Sequence, residues 1–399
     1  MHIDINSCFA TVMQQAYVHL RGKPIAAVAY ETDKGCILSP SIEAKRYGIK
    51  TGMRVFEARR LYPALVLRQP EVGLIRDVHL KFLAICQSYS PVVSPKSIDE
   101  TVIDFAPVTH LLHQDLIGIA QEIKKRIRVE IGEWISCSIG IATNRFLAKV
   151  GARLHKPDGL DMISHYNLES VYKSLLLIDL PGINIRYQIR LNRYGILTPL
   201  QFFGAPLVLL KKQVFQSIVG YYWYQRLRGW EVDSVEYERK SFGQDYALEK
   251  KTDERKELLR LLLKLTEKMG RRLRKAGFAA QGVHLALWYA DGSFWHHGKK
   301  TGTFLSTTYE LYEAEKALFD QQPKRNVVTK IAVRCYDIIA QGFMQQSLFA
   351  FTNKRRLLAD ALDRINDRYG EYTATPARMM DMDKTILDRI AFGKGGIPV

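Results

Sequence analysis

The chain has 399 residues, 47% hydrophobic and 25% charged, an ordinary globular composition but too long for one ordinary core. Its 58 Lys and Arg against 41 Asp and Glu leave a net charge of +17, which favours a polyanionic partner, nucleic acid foremost. The five cysteines are scattered without metal-ligand spacing, and neither a secretion signal nor a membrane-length apolar run is visible; the expectation is a cytoplasmic, nucleoid-associated protein with no membrane partner.

The first residues, Met1 to Asn6, alternate as a strand does, with Asp4 as the single acid. Ser7 to Gln15 is helix-compatible and carries Phe9 near its start. Residues 23–67 read as a compact unit: strands at Ile25–Ala29 and Cys36–Ser39, a short helix from Ile42 stopped by Gly48, and a basic helix through Glu57, Arg59 and Arg60 that ends at Pro63. Leu74, Val78, Phe82 and Ile85 lie on one face of a helix over 74–90. Beyond the turn Ser94-Pro95-Lys96, the run Ser97 to Phe105 opens on Asp99 and Glu100 and continues as a strand. A helix through Leu116, Ile119, Ile123 and Ile127 leads to a strand at Trp134–Ile141. This order predicts a small antiparallel sheet with helices on one face and the acids on the open face.

Adjacent strand residues point to opposite faces, so Asp99 and Glu100 converge only if they sit at an irregularity, and they follow a turn. An acidic pair beside a turn is commonly solvated surface. If the Asp4 strand lies alongside, however, three carboxylates meet, and their repulsion requires cations. Mg²⁺, with its preference for oxygen ligands and its open positions for phosphate, suits such a cluster.

A helix begins at Ala142, with Thr143 or Asn144 as its cap, and ends at the basic turn His155–Gly159. Lys149 and Lys156 could each reach a triphosphate, and each could equally be a solvated lysine. Leu180-Pro181-Gly182-Ile183-Asn184 separates two short helices in the manner of a helix-hairpin-helix that grips backbone phosphate. Asn184 stands where a second glycine is usual, and Asn tolerates the left-handed conformation. Asp233 to Lys240 reads as a linker. Arg271, Arg272, Arg274 and Lys275 cluster at a helix end, and a hairpin turns at Asp291-Gly292. His296 and His297 read as surface residues, while Lys299, Lys300, Thr301 and Thr303 could follow a phosphate backbone. Gln345 to Phe349 is either a loop tucking Leu348 and Phe349 into the core or an anchor for a partner's pocket. A helix over 354–370 precedes a glycine-rich end.

These segments together resemble the Y-family DNA polymerases, the lesion-bypass enzymes of the bacterial polymerase IV and polymerase V type. His2 to Ala10, Leu20 to Pro24, Glu43 to Lys45, Ser97 to Glu100, Ser138 to Ile141, Leu147 to Lys149 and Lys156 to Gly159 follow the family's order. The resemblance implies an α+β multidomain right hand: a ferredoxin-like palm (1–8 and 74–163), small fingers (9–73), a helical thumb with the helix-hairpin-helix (164–232), a linker (233–240), an α/β little finger (241–342) and a clamp-binding motif with tail (343–399). It implies error-prone translesion synthesis by a monomer, with primer–template DNA and dNTP as substrates.

By the same resemblance, Asp4 and Asp99 would bridge two Mg²⁺ ions, Glu100 would bind the ion that activates the primer hydroxyl, and the backbone carbonyl of Ile5 would complete the nucleotide-side ion. Phe9 matches the steric gate against ribonucleotides, and Ser39, Lys45 and Lys156 match triphosphate contacts. Gly182, Asn184, Arg271, Arg272, Lys299 and Lys300 are expected to touch DNA. Gln345, Ser347, Leu348 and Phe349 match the motif for the bacterial sliding clamp. Ile42 and Lys45 replace the Tyr and Arg usual in polymerase IV; Asn6, Lys45 and the tail look more like polymerase V, which would bring an accessory subunit. The rival readings are a catalytically inert DNA- and clamp-binding scaffold of the same fold, and a metal-dependent nuclease using the same acids.

Overall fold

The computed structural model describes residues 1–111, 115–234, 238–323, 326–343, 350–382 and 385–386. They fall into two compact units, one built on Met1–Val235 and the other on Glu236–Asp388. The strands of the first are, in chain order, β1 (His2–Ile5), β2 (Ile25–Val28), β3 (Ile37–Pro40), β4 (Val66–Arg68), β5 (Val93–Pro95), β6 (Glu100–Ile103), β7 (Cys137–Ile141) and β8 (Leu160–Met162).

Five of them form the main sheet in the order β5-β6-β1-β7-β8. β1 lies in its middle, antiparallel to both β6 and β7. The sheet is not all antiparallel as expected, because β8 joins parallel to β7. A parallel neighbour needs a crossover, and the helix Arg145–Leu154 supplies it. Alternation along β1 sends Ile3 and Ile5 into the core with Ile103, Ile139 and Ile141, against Ile75 and Phe82 of the helix Val72–Gln87 and Ile119 and Ile123 of the helix Leu116–Arg126. His2 and Asp4 therefore take the opposite face.

That face is not fully open, which corrects the expectation of helices on one side only. The Arg145–Leu154 helix packs on it at Gly140, where an added Cβ would stand 1.9 Å from the Ala148 carbonyl oxygen. Glycine is required at this contact because backbone meets backbone. The helix is capped by Asn144, whose Oδ1 accepts from the Leu147 amide at 2.8 Å.

A second sheet, β3-β2-β4, carries the residues between. β4 was not anticipated; it pairs parallel with β2. Further along, the hairpin at Pro181-Gly182 has a single 3₁₀ turn, Leu177–Asp179, in place of its first helix. Gly182 takes φ +95°. Asn184 is extended, φ −104°, rather than left-handed, and it caps the helix Ile185–Asn192 by accepting from the Tyr187 amide at 3.0 Å. Leu177, Leu180, Ile183 and Leu191 close this region around Phe202 and Trp223.

The second unit is a four-stranded antiparallel sheet of β9 (Ser241–Thr252), β10 (Phe278–Tyr289), β11 (Phe294–Leu305) and β12 (Val328–Ala340), ordered β11-β10-β12-β9. The helices Arg255–Lys275 and Thr308–Phe319 pack Leu262, Leu265, Leu311 and Leu318 onto Leu285, Leu287 and Val333. Met379 and Met382 join the same core. Among the described residues, no helix is long and apolar enough to cross a membrane.

Candidate active site

The carboxylates gather where β1 and β6 run side by side. Their register places Asp4 opposite Glu100, and the Ile5 amide donates to the Asp99 carbonyl at 2.9 Å, so Asp99 stands at the entry of β6. Ser97 organises this entry: its Oγ donates to Asp99 Oδ1 at 2.5 Å and accepts from the Glu100 amide at 3.1 Å. The turn supplies the irregularity that lets two neighbouring acids serve one site. Ser7, just beyond β1, takes a left-handed conformation, φ 50°. A non-glycine residue held there stores backbone strain, and such strain concentrates at functional turns.

Burial raises the Asp4 carboxyl to about 6, although the Lys156 ammonium at 2.5 Å pulls it down. Burial also raises Asp99, with the Ser97 hydrogen bond opposing. Glu100 is lowered overall: burial works against ionisation, and the Lys149 ammonium, 2.6 Å from Oε2, outweighs it. Two lysines thus neutralise part of a triple negative charge. Lys149, for which the sequence left a triphosphate contact and a solvated surface position open, pairs with Glu100.

His2 was not singled out from the sequence. It is 2% exposed, and its donor atom lies within 4.8 Å of those of Asp4 and Glu100. Asp99 is outside that cluster. Burial lowers the imidazole to about 3, so it is neutral. Its signal was the spacing: two residues before Asp4 on a strand means the same face.

Phe9 sits in the first turn of the helix Cys8–Ala16, 2% exposed. Ser39 is half-buried on β3, opposite Ala27. Lys45, in the helix Ile42–Arg46, is lowered by desolvation and then by the charge of Lys156, with Asp4 opposing, which places its ammonium in the same field. Asn6 ties the Lys156 turn to the sheet: its Oδ1 accepts from the Asp158 amide at 2.8 Å and from Ser136 Oγ at 3.1 Å, and its Nδ2 donates to Ser138 Oγ at 2.9 Å. Three acids, a neutral imidazole with an unpartnered nitrogen, and a carboxyl raised by burial form a donor set that suits a hard divalent cation.

The expected DNA contacts divide. Gly182, Asn184, Lys299 and Lys300 are exposed, the last paired with Asp337 at 2.5 Å. Arg271 is instead held by Asp363, Asp367 and Glu371 at 3.6, 2.9 and 3.6 Å, and Arg272 donates to the Gly243 carbonyl. Gln345, Ser347, Leu348 and Phe349 lie outside the described residues.

An acidic cluster on the central strands of a mixed sheet, with lysines beside it, is an arrangement suited to divalent cations and phosphate groups. Residues 3–153 match the impB/mucB/samB family and residues 239–348 match its C-terminal domain. DNA polymerase IV of Moorella thermoacetica is 31% identical over 92% of this chain and 92% of its own length. That of Pelotomaculum thermopropionicum is 30% identical over 93% and 92%. A solved Y-family DNA polymerase chimera, Dbh-Dpo4(243-245)-Dbh, superimposes with a TM-score of 0.73 at 22% identity, covering 85% of this chain and 98% of that one. The chain belongs to the Y-family of DNA polymerases. It is a DNA-directed DNA polymerase of the translesion class, and the inert-scaffold alternative is not favoured. Divalent metal ions are a general requirement of that family.

Proposed function

We propose that the chain extends a primer by transfer from dNTP, using two Mg²⁺ ions held by Asp4, Asp99, Glu100 and the backbone carbonyl of Ile5. The observation that carries this reading is the pairing of Asp4 with Glu100 across β1 and β6, with Asp99 adjacent. The primer 3′ oxygen forms a bond to the α-phosphorus as the bond to the pyrophosphate leaving group breaks, and the hydroxyl proton passes to solvent water. The ions, when bound, supply a lowered hydroxyl pKa and countercharge for the phosphates. The chain does the rest. Lys45, Lys156 and Ser39 hold the triphosphate, and Phe9 closes the space that a ribose 2′-hydroxyl would need. Glu100 stays ionised because Lys149 stabilises its charge, ready to accept a cation without first losing a proton.

In this reading the palm is 1–8 and 74–163, the fingers 9–73, the thumb 164–232 and the little finger 241–342, with 233–240 as linker. Gly182, Lys299 and Lys300 meet the duplex backbone. Gln345 to Phe349 anchors a sliding clamp at the nucleoid, and a polymerase V-type accessory subunit is a further candidate partner. Replacing Leu348 and Phe349 with Ala should abolish clamp binding in a titration while distributive synthesis continues; retained affinity would remove the role.

The decisive experiment is primer extension with Mg²⁺ and dNTPs, wild type beside Asp99→Ala/Glu100→Ala. Extension by the wild type alone is expected. Equal extension by the variant would overturn the assignment of the acids, and shortening of the primer would favour the nuclease.

A further inference from the structure

The turn that carries Lys156 is anchored to two separate elements. Asn6 and β7 take its backbone: the Asp158 amide donates to Asn6 Oδ1 at 2.8 Å and the Gly159 amide to Ser138 Oγ at 3.3 Å. The helix Leu116–Arg126 and the π-helical turn that continues it, Ile127–Ile131, take its carboxylate with two cations. Lys124 Nζ lies 3.1 Å from Asp158 Oδ1 and also donates to the Asp158 carbonyl, while Asp158 Oδ2 accepts from Arg128 Nη2. Asp158 itself is left-handed, φ 62°, a conformation that glycine adopts freely and that Asp and Asn visit more readily than other residues. The neighbouring glycine cannot change places with it, since a Cβ at Gly159 would stand 2.5 Å from the His155 carbonyl oxygen. The position thus keeps an acid where the backbone favours glycine, and the acid is engaged by two cations.

We propose that Asp158 is a positioning residue for Lys156: held by Lys124 and Arg128, its carboxylate fixes the turn, and the turn sets the Lys156 ammonium where the nucleotide triphosphate binds. Lys156 stands two residues before Asp158, with Nζ 2.5 Å from Asp4 Oδ1. A lysine stem is long and flexible, so its charge is placed only as well as the backbone beneath it. If the turn loosens, a smaller fraction of the chains presents the ammonium correctly, and the apparent affinity for nucleotide falls by that fraction. Asp4, Asp99 and Glu100 are left as they were, so the transfer step itself is little changed. This role rests on the reading of Lys156 as a triphosphate contact. It extends nucleotide affinity to Lys124 and Arg128, which lie on another element and act only through Asp158.

The test is incorporation of a single dNTP on primer–template DNA by the full chain, with KM and kcat read separately. Asp158→Asn keeps the shape, the left-handed tolerance and the amide to Asn6, and removes the charge. It should raise KM about threefold to tenfold while kcat stays within about twofold. Lys124→Gln/Arg128→Gln should do the same from the other side of the ion pairs, and it carries the test should Asp158→Asn fail to fold. Lys124→Arg/Arg128→Lys, which restores both charges, should return KM to the wild-type value. In a Lys156→Ala background neither neutral variant should raise KM further, because the effect passes through the lysine. A KM that rises for Lys156→Ala but not for the folded neutral variants would overturn the role of Asp158 and leave the triphosphate contact standing. A further rise on top of Lys156→Ala, or a loss confined to kcat, would overturn it as well. An unchanged KM in Lys156→Ala would remove the triphosphate contact and the role of Asp158 together.

Discussion

Lys156 Nζ lies 2.5 Å from Oδ1 of Asp4, so a residue expected to hold triphosphate is the counter-ion of a carboxylate expected to hold metal. Both roles need the same cation at the same place, and they are compatible only in sequence. In the proposed mechanism a divalent ion bound at Asp4 would replace the Lys156 ammonium there and leave it free to meet the phosphates of the nucleotide.

Lys156→Ala therefore separates two effects. Without metal, Asp4 keeps a buried carboxylate beside Glu100 and Asp99 with its nearest cation gone. The pair is partly open to solvent, so the loss of stability should be about 1–3 kcal/mol, less than for a fully buried pair. Added Mg²⁺ should recover most of it, because the ion supplies the missing charge. Thermal unfolding in chelator and in Mg²⁺ measures this, and an equal deficit in both would contradict the counter-ion role. The KM for dNTP should rise as well, by roughly tenfold, a loss of about 1.4 kcal/mol.

Phe9, the proposed gate, also belongs to the core that includes Ile5, Val12 and Ala27. Phe9→Ala should raise incorporation of ribonucleotides relative to deoxyribonucleotides. It should also cost about 3–5 kcal/mol through the cavity it leaves. Phe9→Leu keeps most of the volume and should admit ribonucleotides to an intermediate degree with a smaller loss of stability. Competition between rNTP and dNTP in single-turnover extension gives the ratio, and unchanged discrimination in both folded variants would remove Phe9 as the gate.

How far the site could be read from the sequence follows from where each signal lies. Asp4, Asp99 and Glu100 were legible because their contexts are local: a short alternating run, and two acids at a turn before a strand. Ser97 and Lys149 were not legible in their observed roles, since each acts through contacts fixed only when β6 and the Arg145–Leu154 helix come together. His2 was legible in spacing but chemically unremarked, because a histidine in an apolar run usually reads as core. The ion pairs of Arg271 were not legible either, because its acids, Asp363, Asp367 and Glu371, come from a distant segment. Short strands such as β4 and β8 have too few residues for a period to show, and only pairing with a longer neighbour defines them.

Gly140→Ala tests the packing that brings Lys149 to Glu100. A methyl group at 1.9 Å from the Ala148 carbonyl oxygen and 2.3 Å from the Ala152 amide nitrogen forces the helix off the sheet. Overpacking of this kind costs about 1–3 kcal/mol or more. Because Lys149 rides on that helix, the 2.6 Å contact with Glu100 should also be lost. The expected result is a protein that unfolds at lower temperature and extends primers more slowly. Wild-type activity in a folded Gly140→Ala protein would show that the helix position does not matter to the site.

Glu315 provides a prediction away from the active site. Its carboxyl is fully buried in the second unit, Oε1 has no partner, and Oε2 faces Thr266 Oγ1. The Thr266 hydroxyl has one proton and two acceptors in reach, the other being the Leu262 carbonyl at 2.8 Å. A protonated Glu315 resolves the conflict by donating to the Thr266 oxygen. Burial accordingly raises the carboxyl to about 8. In the unfolded chain it titrates near 4.3. Between these values the folded state binds the extra proton, so stability falls as pH rises through the window and levels off above about 8. Glu315→Gln keeps the shape and the donor to Thr266 without a titrating proton. It should match wild type near the lower limit of the window and exceed it above the upper limit by on the order of 2–4 kcal/mol. Urea unfolding of both proteins across the window decides the matter, because parallel pH dependences would mean that Glu315 does not carry a proton in the folded state.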